Sequence, residues 1–277
     1  MARLILLFLL VSCAWQNPMK SIKTDIENFE ALSPSQFKTY KTKSRSMRLA
    51  WNGNPQKRPL LFVHGSPGSW EAWAAFLQNP QLVEEFHLIA IDRPGFGGSG
   101  KGQAELSLSQ QADDVVEALQ FNSSGLPAIL VGHSFGGPVI AQMAVNHPSK
   151  VAGLVFVASS VDPELEVVEW YQHVGTWWPF RALLPSDLRV CNEEIYTLKP
   201  HLETLRTKMS LITVPVMIIH GDKDSLVPVE NVSFLQKTLS PGLIKGAHIL
   251  QGMNHFIPWK SPTSILDSIE SLRLSLK

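Results

Sequence analysis

Apolar residues along this chain fall into short unbroken runs bounded by Gly, Pro or polar clusters, and the runs alternate with segments of helical spacing. Leu60–Val63, Phe86–Ile91, Ala128–Val131, Val151–Ala158 and Pro215–Ile219 read as strands buried on both faces. Between them, Trp70–Gln78, Ser107–Phe121 and Pro138–His147 carry helical periodicity, with Ser107 placed as an N-cap. A helix over Val229–Leu239, a strand over Leu243–Leu250 and a last helix over Ser261–Leu276 complete the alternation. Upstream, Lys38–Trp51 is rich in strand formers and ends on the turn signal Asn52-Gly53-Asn54-Pro55, which predicts one or two antiparallel strands with a solvated cationic edge. The whole predicts an α/β fold: a mostly parallel central sheet covered by helices on both faces.

One region breaks the alternation. Ser159–Thr213 has no long apolar strand but holds Trp170, Tyr171, Trp177, Trp178 and Phe180 among helix-like stretches. It predicts a helical cap insertion over the carboxyl ends of the strands, where open α/β sheets bind ligands. Its aromatics either line a pocket or pack the cap onto the body, and the pattern does not choose between them.

The length of 277 residues suits one large domain, read here as 37–277 with the cap at about 159–213. Lys+Arg and Asp+Glu are equal at 24 each, and no basic stripe points to nucleic acid. Residues 1–13 form a separate segment. Arg3 precedes an apolar run from Leu4 to Val11, too short to span a bilayer and of the length of a signal-peptide core. Its end, Leu10-Val11-Ser12-Cys13, resembles the bacterial lipoprotein box, which implies lipidation of Cys13 and anchoring in the cell envelope by acyl chains. Ala14 rather than Asp after that cysteine implies the outer membrane in a Gram-negative cell; without lipidation the chain reads as secreted or periplasmic. Residues 14–36 are polar and read as a tether. Cys191 then has no partner and reads as an unreactive residue of the cap.

Candidate chemistry centres on Gly132-His133-Ser134-Phe135-Gly136, between the strand Ala128–Val131 and a helix. A serine on a sharp glycine-bounded turn from strand to helix has its hydroxyl exposed above the sheet. A serine hydroxyl needs a general base, and the base needs an orienting carboxylate. His255, in the loop between the last strand and the last helix, is the histidine best placed to reach the turn. Asp222 and Asp224, in Gly221-Asp-Lys-Asp224 after the preceding strand, compete for the acid, with Asp162 a third possibility. Backbone donors for an oxyanion are expected from Phe135 and from His64-Gly65-Ser66-Pro67; because Pro67 has no N–H, Ser66 is the donor of that loop. Asp92-Arg93-Pro94-Gly95-Phe96-Gly97 reads as a rigid turn in which Asp92 and Arg93 hold the chain together.

With these four motifs in order, the chain from about Tyr40 onward resembles the α/β-hydrolase fold superfamily, in its large branch of small capped enzymes. The resemblance implies a Ser134–His255–Asp224 triad, because the family's Gly-x-x-Asp-x-x-Val-Pro spacing selects Asp224; Asp222 then shapes the loop. It implies cleavage of small-molecule carboxylic esters or related acyl bonds through an acyl-enzyme, with no metal or organic cofactor. The first loop is also similar to that of epoxide hydrolases and haloalkane dehalogenases, which use an aspartate nucleophile where this chain has Ser134. Two alternatives remain open on sequence: a slow-turnover ligand-binding sensor, and a triad-dependent perhydrolase.

Overall fold

The computed structural model describes Lys23, Ile26, Glu27, Phe29, Ala31 and residues 36–276 except Pro179. Cys13 and the apolar run before it lie outside the described residues. Eight strands form one sheet: β1 (Phe37–Lys41), β2 (Ser46–Gly53), β3 (Pro59–Val63), β4 (His87–Ile91), β5 (Ala128–His133), β6 (Val151–Val157), β7 (Val216–Gly221) and β8 (Ile244–Leu250). Their spatial order is β1-β2-β4-β3-β5-β6-β7-β8. The β1–β2 and β2–β4 pairs are antiparallel and all others parallel, so the cationic segment near the N-terminus supplies the two antiparallel strands at one edge.

Every residue of β3 to β7 is buried, as expected of parallel strands covered on both sides. The pleat divides each strand between two cores. Leu61, Val63, Leu130, Leu154 and Phe156 face the helices Leu108–Val116 and Gly136–Asn146. Leu60, Phe62, Ile129, Val131, Val155 and Val157 face Trp70, Trp73, Phe76 and the C-terminal helix Pro262–Ser275. Phe29 is fully buried in this second core, its ring 5.8 Å from Phe37 and 5.2 Å from Trp70.

Helix ends follow local chemistry. Ser107 caps its helix by accepting a hydrogen bond from the Gln110 N–H at 3.2 Å. The expected helix Trp70–Gln78 is instead a 3-10 turn, Trp70–Trp73, followed by Ala74–Leu77. Trp70 and Trp73, three residues apart, are both buried, and three-residue periodicity aligns them. An additional helix, Pro80–Glu85, follows, capped by the Asn79 side chain with Pro80 at its first position.

Between β6 and β7 the chain leaves the sheet as helices Trp170–Thr176, Phe180–Leu183 and Ser186–Arg206. The long helix buries Val190, Leu198, Leu202 and Leu205 along one face. Glu194 sits in the same stripe and is buried too. Four aromatics of this region do not pack into the body. Trp170, Trp177, Trp178 and Phe180 are 58%, 65%, 74% and 45% exposed, so they largely face solvent. Among the described residues no helix is long and apolar enough to cross a membrane.

Candidate active site

Strand order reverses beside β3: the chain moves from β3 to β4 on one side and later to β5 on the other. Ligands of open α/β sheets bind at such a reversal, outside the carboxyl ends of the strands. Ser134 lies there, immediately after β5, with φ 54°. A non-glycine residue in this left-handed region costs of order 1–3 kcal/mol and persists only where its surroundings enforce it. The enforcement is visible. The Ser134 N–H donates to the Val157 carbonyl at 3.0 Å, and the Ser134 carbonyl accepts from the Gly137 N–H at 2.9 Å. A Cβ on Gly136 would overlap the Val63 carbonyl, and one on Gly137 would overlap the Ser159 side chain. Glycine here lets the helix Gly136–Asn146 start directly against the sheet.

His255 and Asp224 come from the loops after β8 and β7 and meet: His255 Nδ1 lies 2.7 Å from Asp224 Oδ2. The other carboxylate oxygen accepts the N–H groups of Leu226 and Val227, both at 2.9 Å. His220 Nε2 lies 3.4 Å from Asp224 Oδ2 and donates to the Val227 carbonyl at 3.0 Å. Burial pushes the Asp224 carboxyl up, but hydrogen bonds from His220 and His255, with the nearby imidazole charge and the Val227 N–H, outweigh it and hold this acid well below the usual carboxylate range. The Asp224 side chain is fully enclosed, and it is an acceptor on both oxygens.

The competing acids are engaged elsewhere. Asp222 accepts the Gly252 N–H at 2.6 Å and so shapes the loop that carries His255. Asp162 caps the turn Pro163–Leu165 through the Glu164 N–H. His133, beside Ser134, donates from Nε2 to the His255 carbonyl at 3.0 Å, and its ring lies 4.8 Å from the His255 ring. Burial, then the neighbouring His255 charge, lowers its pKa to about 3, so His133 is a neutral strut between the β5 end and the His255 loop. Nothing in its sequence context pointed to that contact beyond its place next to Ser134.

On the β3 side, Gly65 packs against the Ser134 Cβ so closely that a side chain at 65 would have to displace it. His64 is fully buried and its tautomer is fixed: Nε2 accepts the Arg93 N–H at 2.9 Å, which leaves Nδ1 to donate to the Gly65 carbonyl at 2.6 Å. Burial, then Arg93, holds its pKa well below the ordinary histidine value. Asp92 accepts the Trp70 and Gly98 N–H groups at 2.9 and 2.8 Å. Arg93 reaches further than a turn residue. Its guanidinium stacks 4.5 Å from the Phe135 ring and forms a buried ion pair with Glu194 of the long helix Ser186–Arg206, Nη1 to Oε1 at 2.8 Å. Sequence reasoning missed Glu194. The available signal was a carboxylate at the fourth-residue step of an apolar stripe, Val190, Glu194, Leu198, Leu202.

Fold and site together define an α/β protein with a strained serine at a strand-to-helix turn and a hydrogen-bonded Asp224–His255 pair whose loop is tied to His133, the residue before that serine. The α/β hydrolase fold family model matches residues 58–189. A pimeloyl-[acyl-carrier protein] methyl ester esterase of Klebsiella pneumoniae is 30% identical over 213 residues, covering 64% of this chain and 80% of that protein. The enzyme of the same name from Edwardsiella ictaluri is 38% identical over 104 residues, covering 38% of this chain and 37% of that protein. Among solved structures, an epoxide hydrolase without ligand superposes with a TM-score of 0.70 at 19% identity, covering 87% of this chain and all of the other. The chain belongs to the α/β hydrolase fold family, and it is a hydrolase.

Proposed function

We propose that this hydrolase cleaves carboxylic esters of small molecules through a Ser134–His255–Asp224 triad. The observation that carries the reading is the 2.7 Å contact between His255 Nδ1 and an enclosed Asp224 carboxylate, in a loop bonded to His133, the neighbour of a serine held at φ 54°. Ser134 Oγ attacks the ester carbonyl carbon while His255 Nε2 takes its proton. Asp224, kept ionised by its hydrogen bonds, orients the ring and stabilises the imidazolium. The backbone N–H groups of Phe135 and Ser66 hold the oxyanion. The imidazolium returns the proton to the departing alkoxide, an alcohol leaves, and water hydrolyses the acyl-enzyme by the same steps in reverse roles. No metal or organic cofactor enters this sequence. The esterase relatives support an ester, rather than an epoxide, as substrate class, and so does the serine at position 134.

We read the chain as one catalytic domain over 37–277 with the insertion at about 159–213 as its cap. We also propose that Cys13 is lipidated and that the enzyme works anchored in the cell envelope, on the strength of the Leu10-Val11-Ser12-Cys13 pattern.

A fluorophosphonate probe tests the catalytic reading. It labels the wild type and leaves Ser134→Ala unlabelled; equal labelling of the two proteins overturns the assignment. Loss of the lipid label in Cys13→Ala is the matching result for the anchor.

A further inference from the structure

Arg93 has five N–H donors, and all five are used. Nε donates to the His64 carbonyl at 2.9 Å, and Nη2 donates to the Gly65 carbonyl at 3.0 Å and to Glu194 Oε2 at 3.0 Å. Nη1 donates to Gln111 Oε1 and Glu194 Oε1, both at 2.8 Å. Glu194 in turn accepts from Gln111 Nε2 at 2.9 Å and from the Ser66 hydroxyl at 2.8 Å. The side chains of both Arg93 and Glu194 are 0% exposed. One carboxylate from the cap therefore grips the loop after β3 twice: directly at the Ser66 side chain, and through Arg93 at the carbonyls of His64 and Gly65.

The Gly65 carbonyl belongs to the same planar peptide unit as the Ser66 N–H, so fixing that carbonyl fixes where the N–H points, and the His64 carbonyl belongs to the unit before it. A buried ion pair repays its desolvation only with excellent geometry, and its better-attested use is to fix one arrangement against alternatives. Here the fixed arrangement is that of the oxyanion loop, and the element fixing it is not part of the sheet. We propose that Glu194 is a positioning residue: the cap helix, through this carboxylate, sets the place of the Ser66 N–H donor. This rests on the esterase reading above and adds a dependence that the reading does not contain. Cap and oxyanion loop form one unit, so a disturbed cap weakens the chemical step rather than substrate affinity alone.

The test compares Ser66→Ala, which keeps the backbone N–H and removes the hydroxyl's ties to Glu194 and to the Cys191 thiol, with Glu194→Gln, which leaves the Cys191 contact in place. Each is expected to lower kcat on an aryl ester by about tenfold, short of the roughly 10²–10³-fold seen when an oxyanion donor is removed outright, with KM changed less than twofold. The double variant should be no slower than the worse single one, because both break the same link. Amide hydrogen exchange of the segment 64–68 should accelerate in both variants while that of β5 stays as in the wild type. Unchanged exchange in 64–68 together with unchanged kcat in Ser66→Ala overturns the inference, and that variant decides the matter even if Glu194→Gln does not fold. The exchange result is independent of the chemistry. If hydrolysis persists in Ser134→Ala the triad assignment fails, and the positioning link still stands or falls on exchange.

Discussion

In the body, β3 to β7 are buried along their whole length, and Trp70 and Trp73 lie almost without solvent contact beneath them. Between β6 and β7 the large apolar side chains Trp177, Trp178 and Leu183 stand mostly in solvent, and a fully enclosed Arg93–Glu194 pair ties that region to the body. The body is held by area removed from water and close packing; the inserted region joins it through one apolar stripe of the long helix, Leu198, Leu202 and Leu205, and through this one enclosed polar pair, while its first half stays exposed. The difference is instructive for function. Hydrophobic burial holds the sheet that presents Ser134, while the loop opposite it is bonded to the long helix Ser186–Arg206 through Arg93 and Glu194.

That contrast can be broken at several points. The largest effect belongs to the body. Asp224→Asn should lower kcat by about 10³–10⁴-fold, because the amide no longer selects the working tautomer of His255, whereas Asp222→Asn should stay within a few-fold. Steady-state kinetics on an aryl ester, with both variants folded by circular dichroism, checks this pair. Next comes Trp73→Ala, which empties a fully buried site and should cost about 3–5 kcal/mol in urea unfolding.

A smaller effect comes from His87 in β4, 1% exposed, whose Nδ1 lies 3.1 Å from Asn122 Nδ2. Burial lowers its pKa to about 4. The unfolded chain takes up a proton near pH 6.5 that the folded one refuses, so this histidine's contribution is intact above pH 6.5 and fades as pH falls toward 4. Between pH 7 and 5 the wild type should lose roughly 1–2 kcal/mol more than His87→Gln does, measured by urea unfolding at both pH values. Smallest of all, Trp177→Ala and Trp178→Ala on the exposed cap should shift stability by less than about 0.5 kcal/mol each. A large loss there would mean that these rings are covered in the folded protein, and the contrast between the two regions would fail.

How far the sequence could be read follows from the same physics. The parallel strands stood out because burial on both faces leaves continuous apolar runs, and the turn at Ser134 because close approach of helix and sheet admits only glycine at 132 and 136. Ser107 was legible as a cap because its bond is local. The short helix Pro80–Glu85 was missed although Asn79-Pro80 carries a capping residue followed by a first-turn proline. Asp224 was separable from Asp222 only by the family's spacing; the structure adds the distances, 2.7 Å from Asp224 to His255 and 2.6 Å from Asp222 to the Gly252 N–H. The apolar stripe around Glu194 could mark that carboxylate, but its pairing with Arg93 lies beyond local reading. Its partners are 101 residues apart, and a lone glutamate in a helix is ordinarily a solvated one.

The burial of Phe29 between Phe37 and Trp70 has a consequence for working distance. It clamps the chain to the body well before the first strand. With a lipid on Cys13, only Ala14 to Asn28 would lie between anchor and clamp, a leash that even fully extended reaches roughly 50 Å. Such an enzyme would patrol a shell about one protein diameter deep, meeting substrates that dissolve in or collect at the membrane before those free in the surrounding medium.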